Sequence, residues 1–72
     1  MNKITFGQFL DANNLPSIGE TVTTPSGFKV EVVGYVFHEM EYYAKVRCVD
    51  QVYGVATWFL DQFNKCTWEG KK

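Results

Sequence analysis

One short stretch, Phe37-His38-Glu39-Met40-Glu41-Tyr42-Tyr43, holds the single histidine of the chain and two of its eight acids. Such a mixture could ligate a metal, move a proton or meet a partner. Zinc takes four His, Cys or acid ligands. The stretch lacks the second histidine of a His-Glu-x-x-His pair, and Cys48 and Cys66 do not form a Cys-x-x-Cys pair. On an extended strand, moreover, His38 and Glu39 point to opposite faces. No metal site is expected. Nor is a cofactor, because Gly7, Gly19, Gly27, Gly34, Gly54 and Gly70 are dispersed and gather into no phosphate-binding loop.

Glu39 and Glu41 would share a strand face about 6–7 Å apart, which approaches the spacing of a glycosidase carboxylate pair. A hydrolase also needs a nucleophile, a base beside it and an oxyanion hole. An exposed hairpin end in a chain of 72 residues has little material for such a cleft. The expectation is a solvated turn and no enzyme activity. Cys48 alternates with Ala44 and Val46, as a small buried hydrophobe does. Both cysteines are expected to be structural thiols.

The elements that carry these residues follow from hydrophobic period. Thr5 and Gln8 have the spacing of a capping box. Phe6, Phe9 and Leu10 then fall on one helical face, and Asn13-Asn14 with Pro16 end the run. This predicts a helix over 5–14. Thr21–Thr24 is β-branched throughout and predicts a strand. Pro25-Ser26-Gly27 is turn chemistry. Phe28–His38 predicts a long strand, with Phe28, Val30 and Val32 on one face.

After Gly34 the alternation blurs, because Val33, Tyr35 and Phe37 are apolar on what had been the polar face. A glycine at such a change predicts a bulge or bend. The chain turns near Met40. Tyr42–Asp50 predicts a third strand, with Ala44, Val46 and Cys48 inward and Tyr43, Lys45 and Arg47 outward. Asp50-Gln51 connects to a fourth strand, Val52–Thr57. Phe59, Leu60 and Phe63 change the period and predict one or two helical turns. Cys66–Glu69 predicts a closing strand, and Gly70-Lys71-Lys72 a loose tail.

This outline resembles the SH3-like small barrels, which include SH3, Tudor and KOW modules. The resemblance covers Ile18 to Glu69 and rests on GETVTTPSGFKVEVVGYVF and on the helical turn WFLDQF. It implies a mainly β fold: a five-stranded small barrel over 18–69, with a short N-terminal helix and a helical turn before the last strand, all in one domain, 1–72. The alternative is an α+β arrangement, an antiparallel sheet with two short helices. The likeness is one of fold outline, so it implies no site residue.

Composition narrows function further. The chain is 46% hydrophobic and 17% aromatic, which suits a folded domain and not a disordered one. The net charge is −1, and the seven basic residues are scattered instead of clustered as phosphate binding needs. A nucleic-acid partner is therefore disfavoured, although Tyr35, Phe37, Tyr43 and Trp58 beside Lys45 and Arg47 could stack single-stranded bases. No apolar run approaches the ~18 residues that cross a membrane. No signal-peptide pattern opens the chain, and a cytoplasmic location is expected.

What remains is a non-enzymatic protein-binding module. Its expected surface is Tyr35, Phe37, Glu39, Met40, Glu41, Tyr43 and Trp58, rings with an acidic rim. The competing use of Tyr35, Phe37 and Tyr43 is as the dock for the helix that carries Phe6, Phe9 and Leu10; a homodimer through the same strand is a third outcome. In size and style the chain is similar to the small accessory proteins of phages and mobile elements, many of which bind and inhibit a host protein.

Overall fold

The structure is a computed structural model that describes residues 4–50 and 54–71. It is mainly β. The elements, in chain order, are a helix α1 (Phe6–Ala12), strands β1 (Thr21–Thr23), β2 (Lys29–His38), β3 (Glu41–Cys48) and β4 (Ala56–Phe59), and a 3₁₀ segment (Leu60–Lys65). The strands form one antiparallel meander in the order β1-β2-β3-β4.

Local chemistry sets the boundaries. Gln8 N–H donates to Thr5 Oγ1 and Thr5 N–H donates to Gln8 Oε1, so the capping box starts α1 as its spacing predicts. The helix ends at Ala12, two residues short of the expected Asn14, and Asn13 caps it, with its side-chain amide donating to the Phe9 carbonyl at 2.8 Å. Between β1 and β2, Gly27 N–H donates to the Thr24 carbonyl, and Gly27 takes a φ of 88°. Only a residue without Cβ adopts that angle cheaply.

The β2–β3 turn is tighter. His38 pairs with Glu41, which leaves Glu39 and Met40 as the turn, with φ of 50° and 68°. Positive φ at both central positions marks the type I′ hairpin, normally built from Asn-Gly. Here two residues with full side chains adopt it.

The blurred alternation in β2 has a structural cause. Val32 pairs with Val46 and Gly34 with Lys45, so Val33 is an extra residue opposite none. The bulge at Gly34 was predicted; its effect on the faces was not. Before it, Val30 and Val32 face the core; after it, Tyr35 and Phe37 share that face, paired with Ala44 and Tyr42. One inserted residue exchanges the two faces of every residue beyond it.

The core lies on this one face of the sheet. Val22, Val30, Val32, Ala44 and Val46 form its floor, and Phe63 from the 3₁₀ segment plugs it, 1% exposed. The Phe63 ring lies 5.5 Å from Trp58, 6.1 Å from Trp68 and 6.4 Å from Tyr35. Cys66 is buried beside it, and Cys48 is half-buried; both are free thiols.

Three expectations are corrected. The sheet is open and has four strands, where a closed five-stranded barrel was expected. The expected closing strand, Cys66–Glu69, makes only a bridge between Thr67 and Thr23, because the chain turns again at once, with Lys71 N–H donating to the Trp68 carbonyl. Second, β4 begins at Ala56 and runs to Phe59, so Phe59 belongs to a strand and not to the helical turn; Val52, where a strand was expected to begin, and Gln51 of the expected connection lie outside the described residues. Third, Lys71 is no loose tail. Its ammonium donates to the carbonyls of Cys66, Asn64 and Phe63 and sits 5.1 Å from the Trp68 ring, capping the 3₁₀ segment; Lys72 lies outside the described residues.

Candidate functional site

The expected surface divides between the two faces of the sheet. Tyr35 and Phe37 lie on the core face, whereas Tyr43 pairs with Val36 on the outer face. The grouping of Tyr35, Phe37 and Tyr43 on one face is therefore corrected, and the reason is the extra residue at Val33.

On the core face α1 docks. Phe6 meets Tyr35 with ring centroids 5.5 Å apart, and Phe9 meets Tyr42 at 5.0 Å. The Tyr35 hydroxyl donates to the Pro16 carbonyl at 2.5 Å, and burial pushes its phenol well above the usual tyrosine range. Tyr35 is thus committed to the interior. Trp58 is half-buried against Phe63 and lines a cleft with Thr24, Pro25 and Lys65. Phe37 lies 4.7 Å from Tyr42 at the end of this face and remains 56% exposed.

The outer face carries a different row. Val36, Tyr43 and Phe59 stand side by side across β2, β3 and β4, with the Tyr43 and Phe59 rings 5.5 Å apart. No described element covers them. Sequence reasoning missed Val36 and Phe59. Counting Val33 as an extra residue would have placed Val36 beside Tyr43, and reading Thr57 and Phe59 at period 2 would have kept Phe59 on the strand.

The hairpin apex completes this end of the molecule. Met40 is 87% exposed, held outward by the left-handed turn. His38 Nε2 lies 3.6 Å from Glu39 Oε1, although strand alternation places them on opposite faces; the turn at Glu39 brings them together. For the same reason Glu39 and Glu41 do not stand as two residues of one strand face. The Tyr43 hydroxyl donates to Glu41 Oε2 at 3.2 Å. Burial, and then the neighbouring carboxylate of Glu41, push the Tyr43 phenol up.

Chemistry elsewhere is muted. Burial pushes the Cys66 thiol up, partly offset by Lys71, and the thiol donates to the Gln62 carbonyl at 3.3 Å; a thiol held protonated is a poor nucleophile. Among the described residues no three His, Cys, Asp or Glu side chains come together as a metal site, and no helix is long and apolar enough to cross a membrane. Further along the outer face, Arg47 pairs with Glu31, and the Lys45 ammonium donates to Thr57 Oγ1 at 2.6 Å.

Compared with protein families, with curated proteins and with solved structures, the chain matches none.

Proposed function

We propose that the chain is a non-enzymatic module that binds one protein partner through the hairpin end of its outer face. The observation that carries this reading is the row Val36–Tyr43–Phe59, apolar across three strands and covered by no described element, with Met40 projecting beyond it. Exposed apolar patches on small domains mark interaction surfaces. Aromatic and methionine side chains are the types enriched at interfaces. Phe37 extends the patch around the strand end, and Glu39 and Glu41 form an acidic rim that favours a partner with basic residues around an apolar centre. Tyr35 and Trp58 support this surface from behind and do not form part of it.

The competing reading, binding of single-stranded nucleic acid, would use the same rings beside Lys45 and Arg47. It draws little support from the geometry, since Arg47 is neutralised by Glu31 and Lys45 is held by Thr57. Phosphate contacts would declare themselves by steep salt dependence.

The test is affinity capture with immobilised wild-type protein and with Met40→Ser and Phe59→Ser variants shown to be folded. A protein retained by the wild type and lost by both variants supports the reading. Equal retention by all three sinks it.

A further inference from the structure

β4 is an edge of the sheet, with β3 on one side and nothing described on the other. The opposite edge is different, because Thr23 of β1 exchanges two main-chain hydrogen bonds with Thr67. Exposed edges are commonly guarded by lysine, proline or a bulge. Ala56-Thr57-Trp58-Phe59 has none of these.

The hairpin fixes which groups the edge offers. His38 and Glu41 close a two-residue turn, so Glu41, Tyr43 and Lys45 direct their N–H and C=O groups toward β2. Ala44 and Val46 then direct theirs toward Trp58 and Ala56. By alternation, Thr57 and Phe59 turn their main-chain groups outward. One observation agrees independently: Phe59 N–H finds no strand partner and donates to the side chain of Gln62, at 3.1 Å.

We propose that β4 pairs antiparallel with β4 of a second copy, about a two-fold axis at Thr57, joining the two open sheets edge to edge. Thr57 of each copy donates to the Thr57 carbonyl of the other. Val55 N–H donates to the Phe59 carbonyl of the second copy, while Phe59 N–H stays with Gln62. The side chains are self-complementary under this axis, as a two-fold interface requires. On the outer face Val55, 55% exposed, falls opposite Phe59, 56% exposed. On the other face Ala56 falls opposite Trp58, small against large. No charge meets its like along the strand. The occupant is a second copy and not an unrelated strand because each residue finds its complement within this same short segment. The assignment goes beyond the partner-binding reading and stands if that reading falls.

Strands this short give a weak, concentration-dependent dimer. The experiment is sedimentation equilibrium with amide NMR spectra from ~10 µM to ~1 mM, a range that brackets affinities of that class. The expected result is a dimer fraction that rises with concentration, with shift changes centred on Val55, Thr57 and Phe59. Thr57→Pro removes an outward N–H, which an edge strand tolerates, together with the exposed hydroxyl that accepts from Lys45, and is expected to stay monomeric throughout. If that variant fails to fold, Val55→Lys serves, with association weakened about tenfold or more, roughly 1.4 kcal/mol. A wild-type chain that stays monomeric at ~1 mM overturns the proposal. So does a dimer that persists in the folded variants or whose shifts map to Val36, Tyr43 and Met40.

Discussion

Phe9 and Tyr42 meet ring to ring at 5.0 Å, and this contact sets α1 over one face of the sheet while Tyr43, the next residue along β3, looks out from the other. Two adjacent tyrosines therefore have opposite duties. Phe9→Ala is expected to lower stability by about 2 kcal/mol, roughly half the cost at a fully buried phenylalanine. Tyr43→Ala is expected to cost less than ~1 kcal/mol, as surface substitutions do. Urea unfolding of both variants compares them directly, and equal losses would contradict the division of faces.

The Glu39-Met40 turn holds two non-glycine residues at positive φ. Each carries a penalty of roughly 1–2 kcal/mol relative to a residue suited to that region. The double substitution Glu39→Asn, Met40→Gly is expected to raise stability by at least ~1 kcal/mol, or about 4–8 °C in Tm for a domain this small. Under the proposed function it also weakens partner binding, since it removes the most exposed large apolar side chain among the described residues. A fall in Tm would refute the turn geometry.

Val33 is the residue that resets β2. Deleting it makes Val32 and Gly34 consecutive opposite Val46 and Lys45, so the ladder becomes regular and Tyr35 stays opposite Ala44, beneath Phe6 and beside Phe63. The deletion is expected to keep the aromatic packing and cooperative unfolding, read by near-ultraviolet circular dichroism. Loss of that signal would contradict the reading of Val33 as the extra residue. A Val33→Thr variant, which keeps the count, is expected to unfold cooperatively with a change below ~1 kcal/mol.

Lys71 caps the carbonyl end of the 3₁₀ segment with its ammonium. Lys71→Met keeps much of the stem that packs on Trp68 and removes the donors. The expected loss is about 1–2 kcal/mol, in the range for hydrogen bonds to charged groups on a partly exposed site. Deleting only Lys72 serves as the comparison, with a change near zero expected if the anchor is Lys71 alone.

Burial raises the Tyr35 phenol, so the folded chain holds this proton where the unfolded chain releases it, near pH 10. Its contribution is fully present below about pH 10 and falls as pH rises beyond that value. Tyr35→Phe is expected to cost about 1 kcal/mol at neutral pH through the lost bond to Pro16. The same variant is expected to show a shallower alkaline limb in a Tm-against-pH series. The slope that remains belongs in part to Tyr43, whose phenol is raised in the same sense by burial and by Glu41.

The fold was legible where local chemistry decides it. The Thr5–Gln8 box, the Pro25–Gly27 turn and the bulge at Gly34 each follow from a residue type at a fixed spacing. What escaped depends on counting and on contacts distant in sequence. One extra residue at Val33 moved Val36 into the exposed row and Tyr35 and Phe37 out of it. Phe59 has the spacing of a helical face and the backbone of a strand, and pairing with Tyr43 overrides the period. Barrel closure also failed for a distant reason, since Trp68 and Lys71 are drawn back onto the 3₁₀ segment and leave Thr67 alone beside β1.

That bridge also bears on how the chain assembles. Each strand pairs with its neighbour in sequence, and such local pairings form early and fast. Thr23 and Thr67 form the main-chain bridge between the first strand and the far end of the chain, and Val22 shares the core with Phe63 and Cys66, so the closure entropy of the long loop is repaid by two hydrogen bonds and this packing. The meander can therefore exist before the ends meet, and the seam at Thr67 is expected to close late in folding and to open early on local unfolding.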